Sequence, residues 1–167
     1  MSRSQSLNFK MLVEAYHSSL YRFAYSLAND EHIACDLTQH TFYLYANKGA
    51  EAIGSAAKLK PWLFSTLYHE FLRQRVAPRL DLPGMAKKKT SATAKQLSTL
   101  DGESAARTLA QVEDKLRAPL ALYYLRELSY KEMAEVLNTT VSEVLSRVAQ
   151  GKARLQQITS DLPPETK

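Results

Sequence analysis

Residues Leu128 to Leu155 read LSYKEMAEVLNTTVSEVLSRVAQGKARL, with helix-start signals eleven residues apart at Ser129 and Thr140. Ser129 stands three residues before Glu132, and Thr140 three before Glu143. Each pair fits a capping box, in which the hydroxyl accepts from the N3 amide and the glutamate reaches back to the N-cap amide. Leu128 and Met133 are placed to close the first start as a hydrophobic staple. Asn138-Thr139 lies between, and Asn tolerates the left-handed backbone that a sharp turn needs. The stretch predicts an eight-residue helix, a tight turn and a longer helix ending in Lys152, Arg154 and Leu155. That pattern is a helix-turn-helix, whose second helix is the candidate for a DNA major groove.

A plain αα-hairpin would carry the same caps, so the side chains matter more. Ser142, Glu143, Ser146 and Arg147 fall at the start of the second helix, where a recognition helix meets base edges. Val141, Val144, Val148 and Leu155 have the spacing of one buried stripe. Glu143 and Arg147 are also spaced as an ordinary i,i+4 surface pair contributing ~0.3–0.5 kcal/mol.

The 167 residues, 45% of them hydrophobic, suffice for one packed domain or two small ones. Five Gly and six Pro are few for an all-β chain. Long helix-period stretches rich in Ala, Leu, Glu, Lys and Gln predict an all-α fold. The net charge of +5 suits a nucleic-acid partner, although a solvated basic surface explains it nearly as well. Cys35 is the single cysteine, so no internal disulfide exists, and it is expected to pack as a small hydrophobe. His17, His32, His40 and His69 form no recognised metal-ligand pattern, and no metal or other cofactor is expected. No Gly-rich phosphate loop and no catalytic motif is present, which argues against an enzyme. No stretch reaches the ~20 apolar residues of a membrane span, and the expected location is cytoplasmic.

Along the chain, Phe9, Leu12, Val13, Tyr16, Leu20, Phe23, Ala24 and Leu27 follow helical spacing after a polar start at residues 1–6. Asn29-Asp30 breaks that helix, and Asp30 caps the next, from about Glu31 to Tyr45. Its inner face is Ala34, Leu37, Thr38, Thr41, Phe42 and Tyr45; Asp36, Gln39, His40 and Tyr43 face out and suit a protein interface. Asn47–Lys58 reads as a loop. Pro61 then suits the first turn of a helix through Arg75. Lys58, Lys60, Trp62, Tyr68, His69, Arg73 and Arg75 form a candidate basic aromatic surface, of the kind that holds single-stranded DNA. Trp62 taken alone suits the core better than a stacking platform, and the arginines suit the helix C-terminus. Residues 78–103, with Lys87-Lys88-Lys89, read as a flexible basic linker. A further helix is expected near Ser104, and Pro119 is expected in the first turn of the one after it. The tail from Thr159 is polar.

These parts together resemble the extracytoplasmic-function (ECF) sigma factors of the sigma-70 family, compact two-domain bacterial transcription initiation factors. Ala34-Cys35-Asp36-Leu37-Thr38-Gln39-His40-Thr41-Phe42 is similar to the family's polymerase-binding motif. Leu20-Tyr21-Arg22-Phe23-Ala24 looks like its first helix, and Lys60-Pro61-Trp62-Leu63-Phe64 like the start of its promoter-melting helix. Leu122–Leu155, with Ser146-Arg147, looks like its second domain. His69 and Arg73 stand where the family usually has Asn and Asp. Leu145 and Gln150 replace frequent cations, and Val112-Glu113 replaces a Leu-Pro, while Arg117 keeps a basic position.

The resemblance implies two helical domains, 1–77 and 104–158, a linker at 78–103 and a tail at 159–167. It implies docking on core RNA polymerase, at the β′ clamp through Asp36, Gln39 and Phe42 and at the β flap. It implies promoter DNA as the second partner. Lys58, Lys60, Trp62, Tyr68, His69, Arg73 and Arg75 would hold the melted minus-ten strand. Ser142, Glu143, Ser146, Arg147, Lys152 and Arg154 would engage the minus-thirty-five element. It also implies an anti-sigma factor, and action on the nucleoid. Two other readings stay open: a sigma-like module that binds polymerase or an anti-sigma factor without opening promoters, and a stand-alone helix-turn-helix regulator.

Overall fold

The computed structural model describes residues 3–49, 53, 56–76, 108–109 and 111–161. Among these, the regular elements are α1 (Arg3–Ala28), α2 (Glu31–Leu44), α3 (Leu59–Val76), α4 (Asp114–Leu125), α5 (Tyr130–Leu137) and α6 (Val141–Asp161). The architecture is all-α, as the periodicity predicts. The expected linker at 78–103 and residues 162–167 of the tail lie outside the described residues.

Helix α1 starts at Arg3 and ends where Asn29 adopts φ 51°, its amide donating to the Tyr25 carbonyl at 2.7 Å. Asp30 caps α2 by accepting from the Ile33 amide at 3.1 Å. Thr38 and Thr41 are fully buried, and each hydroxyl is satisfied by the carbonyl four residues back, at 2.7 Å. A π-helical turn at Tyr45–Gly49 and a 3-10 turn at Ala56–Lys58 lead into α3, whose Pro61 sits in the first turn. Cys35 is exposed, contrary to expectation. It follows Ala34 by one residue, and a 100° rotation carries it off the buried face. Partial burial, then Glu31 and Asp36, raise its thiol pKa.

Helices α1, α2 and α3 pack on one another, and α4, α5 and α6 do likewise. Phe23 and Phe64 anchor the first group with ring centroids 5.6 Å apart. Each large side chain buried there contributes about 1.5–3 kcal/mol. The groups also pack together, α1 on α4 and α3 on α5. One apolar cluster therefore joins Leu20, Phe23 and Leu67 to Ala118, Met133 and Val136. A smaller one holds Leu109, Val112, Leu116 and Leu120 against Leu155 and Ile158.

Three details differ from the sequence expectation. Pro119 lies in the second turn of α4 rather than the first, buried in the core, where packing offsets its missing amide bond. Val141 is exposed instead of joining the stripe of Val144 and Val148, because it is the first residue of α6. Helix α6 continues past Leu155 to Asp161, carrying Leu155 and Ile158 onto the smaller cluster.

Candidate nucleic-acid interface

The turn that presents α6 follows the predicted chemistry with altered partners. Ser129 Oγ accepts from the Glu132 amide at 3.2 Å, and Thr140 Oγ1 from the Glu143 amide at 3.2 Å. The glutamates do not complete the boxes as expected. Glu132 Oε1 accepts from the Ser129 hydroxyl at 3.1 Å, and Glu143 Oε1 accepts from Arg147 Nε at 2.8 Å. Asn138 adopts φ 52°, and the Thr139 amide returns to the Ala134 carbonyl at 2.9 Å.

At the start of α6, Ser142, Glu143 and Ser146 are exposed and Arg147 is half-buried, so these four residues share one accessible end. Gln150 donates to Ser146 Oγ at 3.1 Å. Lys152 sits elsewhere: its Nζ donates to Tyr123 Oη at 2.7 Å and lies 4.0 Å from that ring's centroid. This hydrogen bond lowers the Tyr123 pKa and raises that of Lys152. Arg154 is exposed and bonds Gln157 at 3.2 Å. No spacing rule pairs residues 123 and 152, so Tyr123 was invisible as a partner of a candidate phosphate contact.

The seven-residue basic aromatic set does not form one surface. At 3.6 residues per turn, Lys60, Tyr68 and Arg75 fall on one side of α3, and Trp62, His69 and Arg73 on the opposite side. Lys60 Nζ lies 3.5 Å from Glu127 Oε2, and Arg75 pairs with Asp114. Burial raises the Tyr68 hydroxyl pKa, and Arg147 is near enough to oppose that. Trp62 is half-buried, edge-on to Tyr45 with centroids 6.0 Å apart. His69 and Lys58 are exposed.

Arg73 belongs instead to the groove between α2 and α3. Its Nε and Nη2 donate to Glu70 Oε2 at 3.1 and 2.7 Å, and His40 Nε2 lies 3.4 Å from the same oxygen. The resulting cleft, about 440 Å³, is lined by Asp36, Gln39, His40, Tyr43, Arg73 and Gln74. Asp36 and Gln39 are thus brought together on an open face. Phe42, expected beside them, is only 6% exposed, stacked on His17 and edge-on to Phe9 at 6.3 and 6.5 Å. Its place four residues after Thr38 puts it on the inner face, where it holds α1 to α2 and cannot touch a partner directly.

Among the described residues no helix is long and apolar enough to cross a membrane, and no acid, histidine or cysteine cluster suits a metal ion.

The family model for Sigma-70, region 4, matches residues 103–155. The ECF RNA polymerase sigma factor SigM of Bacillus subtilis (strain 168) is 28% identical over 157 residues, covering 88% of this chain and 92% of that protein. The ECF RNA polymerase sigma factor SigW of the same organism is 24% identical, with 92% and 90% covered. Among solved structures, sigma factor RpoE from Bartonella quintana, in complex with the anti-sigma factor NepR, superposes with a TM-score of 0.68 at 24% identity. The match covers 93% of this chain and 99% of that one. CnrH, in complex with the cytosolic domain of CnrY, gives 0.66 at 22% identity, with 92% and 89% covered.

Proposed function

Because the chain belongs to the ECF sigma factors of the sigma-70 family, we infer that it binds core RNA polymerase and directs promoter-specific transcription initiation. The observation that carries this is the agreement between the region 4 match at 103–155 and a capped helix-turn-helix whose second helix opens with Ser142, Glu143, Ser146 and Arg147 exposed or half-exposed.

We assign the roles as follows. The α2–α3 groove, through Asp36 and Gln39 with Phe42 beneath, docks on the polymerase β′ clamp, and the C-terminal unit meets the β flap. Lys60, Tyr68 and Arg75, which share one side of α3, engage the melted minus-ten strand, where stacking a base on an aromatic contributes roughly 1–3 kcal/mol. The start of α6 reads the minus-thirty-five element, with Arg154 nearer phosphates and Lys152 held by Tyr123 on another side of the helix; base contacts specify and phosphate contacts position. Residues 1–77 and 104–158 act as the two units, with 78–103 as the tether. An anti-sigma factor is the expected regulator, and the cytoplasm, on the nucleoid, the place of action.

The test is in vitro transcription with core polymerase on a promoter library. Initiation from a defined promoter set that depends on this chain is the expected result. Tight core binding without initiation on any promoter would replace this reading with a sigma-like interaction module. That second reading is favoured by the internal pairing of Arg147 with Glu143 and of Arg73 with Glu70.

A further inference from the structure

The inter-group contacts are polar at both ends of α3 and apolar between them. Near its start, Glu127 takes Lys60 Nζ at 3.5 Å on Oε2 and the Ser19 hydroxyl of α1 at 2.9 Å on Oε1. Near its end, Asp114 takes Arg75 on Oδ2 and Arg117 on Oδ1, the latter at 3.1 Å. Lys60 and Arg75 are fifteen residues apart, which along a helix is about 22 Å. The acids therefore grip α3 near its two ends, and a crevice of about 180 Å³ lined by Phe71 and Ala118 lies on the same side.

Each acid is placed by its own element. Glu127 follows Arg126, whose left-handed φ of 56° ends α4. Asp114 stands in the first turn of α4, where an acid suits the helix dipole. That position alone explains an acid at 114, but not its partnership with an arginine thirty-nine residues away. A carboxylate takes the same charge-assisted hydrogen bonds from Lys and Arg as a phosphate does.

The closed arrangement is incompatible with a promoter-bound one. The minus-ten and minus-thirty-five elements are about 25 base pairs apart, or about 85 Å at 3.4 Å per pair. Here α3 packs directly on α5 of the helix-turn-helix. The two groups must part before both elements can be held, and parting breaks both ion pairs.

We propose that Glu127 and Asp114 form an internal acidic clamp that occupies the phosphate sites of Lys60 and Arg75 and keeps the free chain closed and weakly DNA-binding. This rests on the reading of Lys60 and Arg75 as DNA contacts. Single-stranded DNA then competes with the two carboxylates, and binding and opening are coupled.

The test compares the full chain with its Glu127→Gln/Asp114→Asn variant and with a Glu14→Gln/Glu135→Gln control that makes the same charge change at exposed sites. Small-angle scattering reads the radius of gyration, and anisotropy of a fluorescein-labelled single-stranded 20-mer reads affinity. The clamp variant should be larger and bind about 3–10-fold more tightly, since exposed pairs are individually weak. The control should keep its radius and gain less than half as much. An unchanged radius in the clamp variant overturns the clamp, and so does a control that gains as much affinity. A larger radius with unchanged affinity leaves the closure but overturns the DNA role of Lys60 and Arg75.

Discussion

Arg117 on α4 donates from Nη1 to the carbonyl of Leu27 at 3.2 Å, tying the end of α1 to the C-terminal group across ninety residues of chain. Its Nε and Nη2 donate to the carbonyls of Leu109 and Val112 at 3.1 and 3.0 Å. One guanidinium, 15% exposed, thus serves three carbonyls and the Asp114 carboxylate. Removing it leaves those acceptors poorly satisfied. Arg117→Ala should destabilise the chain by about 2–4 kcal/mol. Arg117→Lys should recover less than half, because an ammonium lacks the planar fork. Urea unfolding followed by circular dichroism measures both, and a loss below about 0.5 kcal/mol for Ala would contradict the assignment.

Asn138 joins α5 to α6 at φ 52°. A β-branched residue is strained there, so Asn138→Val should cost about 1–2 kcal/mol. Asn138→Gly should be within about 0.5 kcal/mol of the parent, since glycine adopts this backbone freely. Equal losses for both would mean that the side chain, not the backbone, is what the turn requires.

Asp114 gives a pH dependence of definite sign. Its hydrogen bond from Arg75, reinforced by the charges of Arg75 and Arg117, holds its carboxyl below the ordinary carboxylate value. A depressed folded pKa contributes stability that is present above the unfolded value and lost as pH falls through the folded one. The group is largely exposed, so the contribution stays within about 1 kcal/mol. Melting temperatures of the parent and Asp114→Asn should differ at about pH 6 and converge toward about pH 3. A constant difference across that range would rule out this linkage.

For the polymerase face, Asp36→Ala with Gln39→Ala should weaken core binding by about tenfold or more, since two interface contacts of about 1 kcal/mol each together amount to roughly thirtyfold. DNA binding by the full chain should stay unchanged. Surface plasmon resonance on core polymerase reads the first and anisotropy the second; unaltered core affinity would move the docking face elsewhere.

Arg147→Ala should cost about 1–3 kcal/mol on the preferred upstream element and less on random duplex. The Glu143 carboxylate that holds Arg147 Nε at 2.8 Å presents the guanidinium at a fixed angle, so Glu143→Gln should also relax base preference. Equal losses on specific and random DNA, with a salt slope lower by about 1, would mark Arg147 as a phosphate contact only.

Local chemistry was legible in the sequence wherever the deciding atoms lie within four residues. The caps at Asp30, Ser129 and Thr140, the left-handed turn at Asn138 and the inner face of α2 all follow from spacing. Reading failed one step from a face, as at Cys35, and at a helix end, as at Val141. The candidate site was legible as residue types but not as a surface. Spacing accounts for the inward turn of Phe42 and the Glu70–Arg73 pair, but not for the groove that Arg73 lines with α2, where His40 meets the same Glu70 oxygen.

The sequence by itself determined the helical segments, their caps and a resemblance to the ECF sigma factors, because hydrogen-bonded turns and apolar periods are short-range properties of the chain. Only the tertiary structure decided which cations are free and which are held. Lys60, Arg75 and Lys152 meet Glu127, Asp114 and Tyr123 across separations of 67, 39 and 29 residues. Such pairs depend on how helices pack, and packing is set by the whole apolar core rather than by any stretch of it.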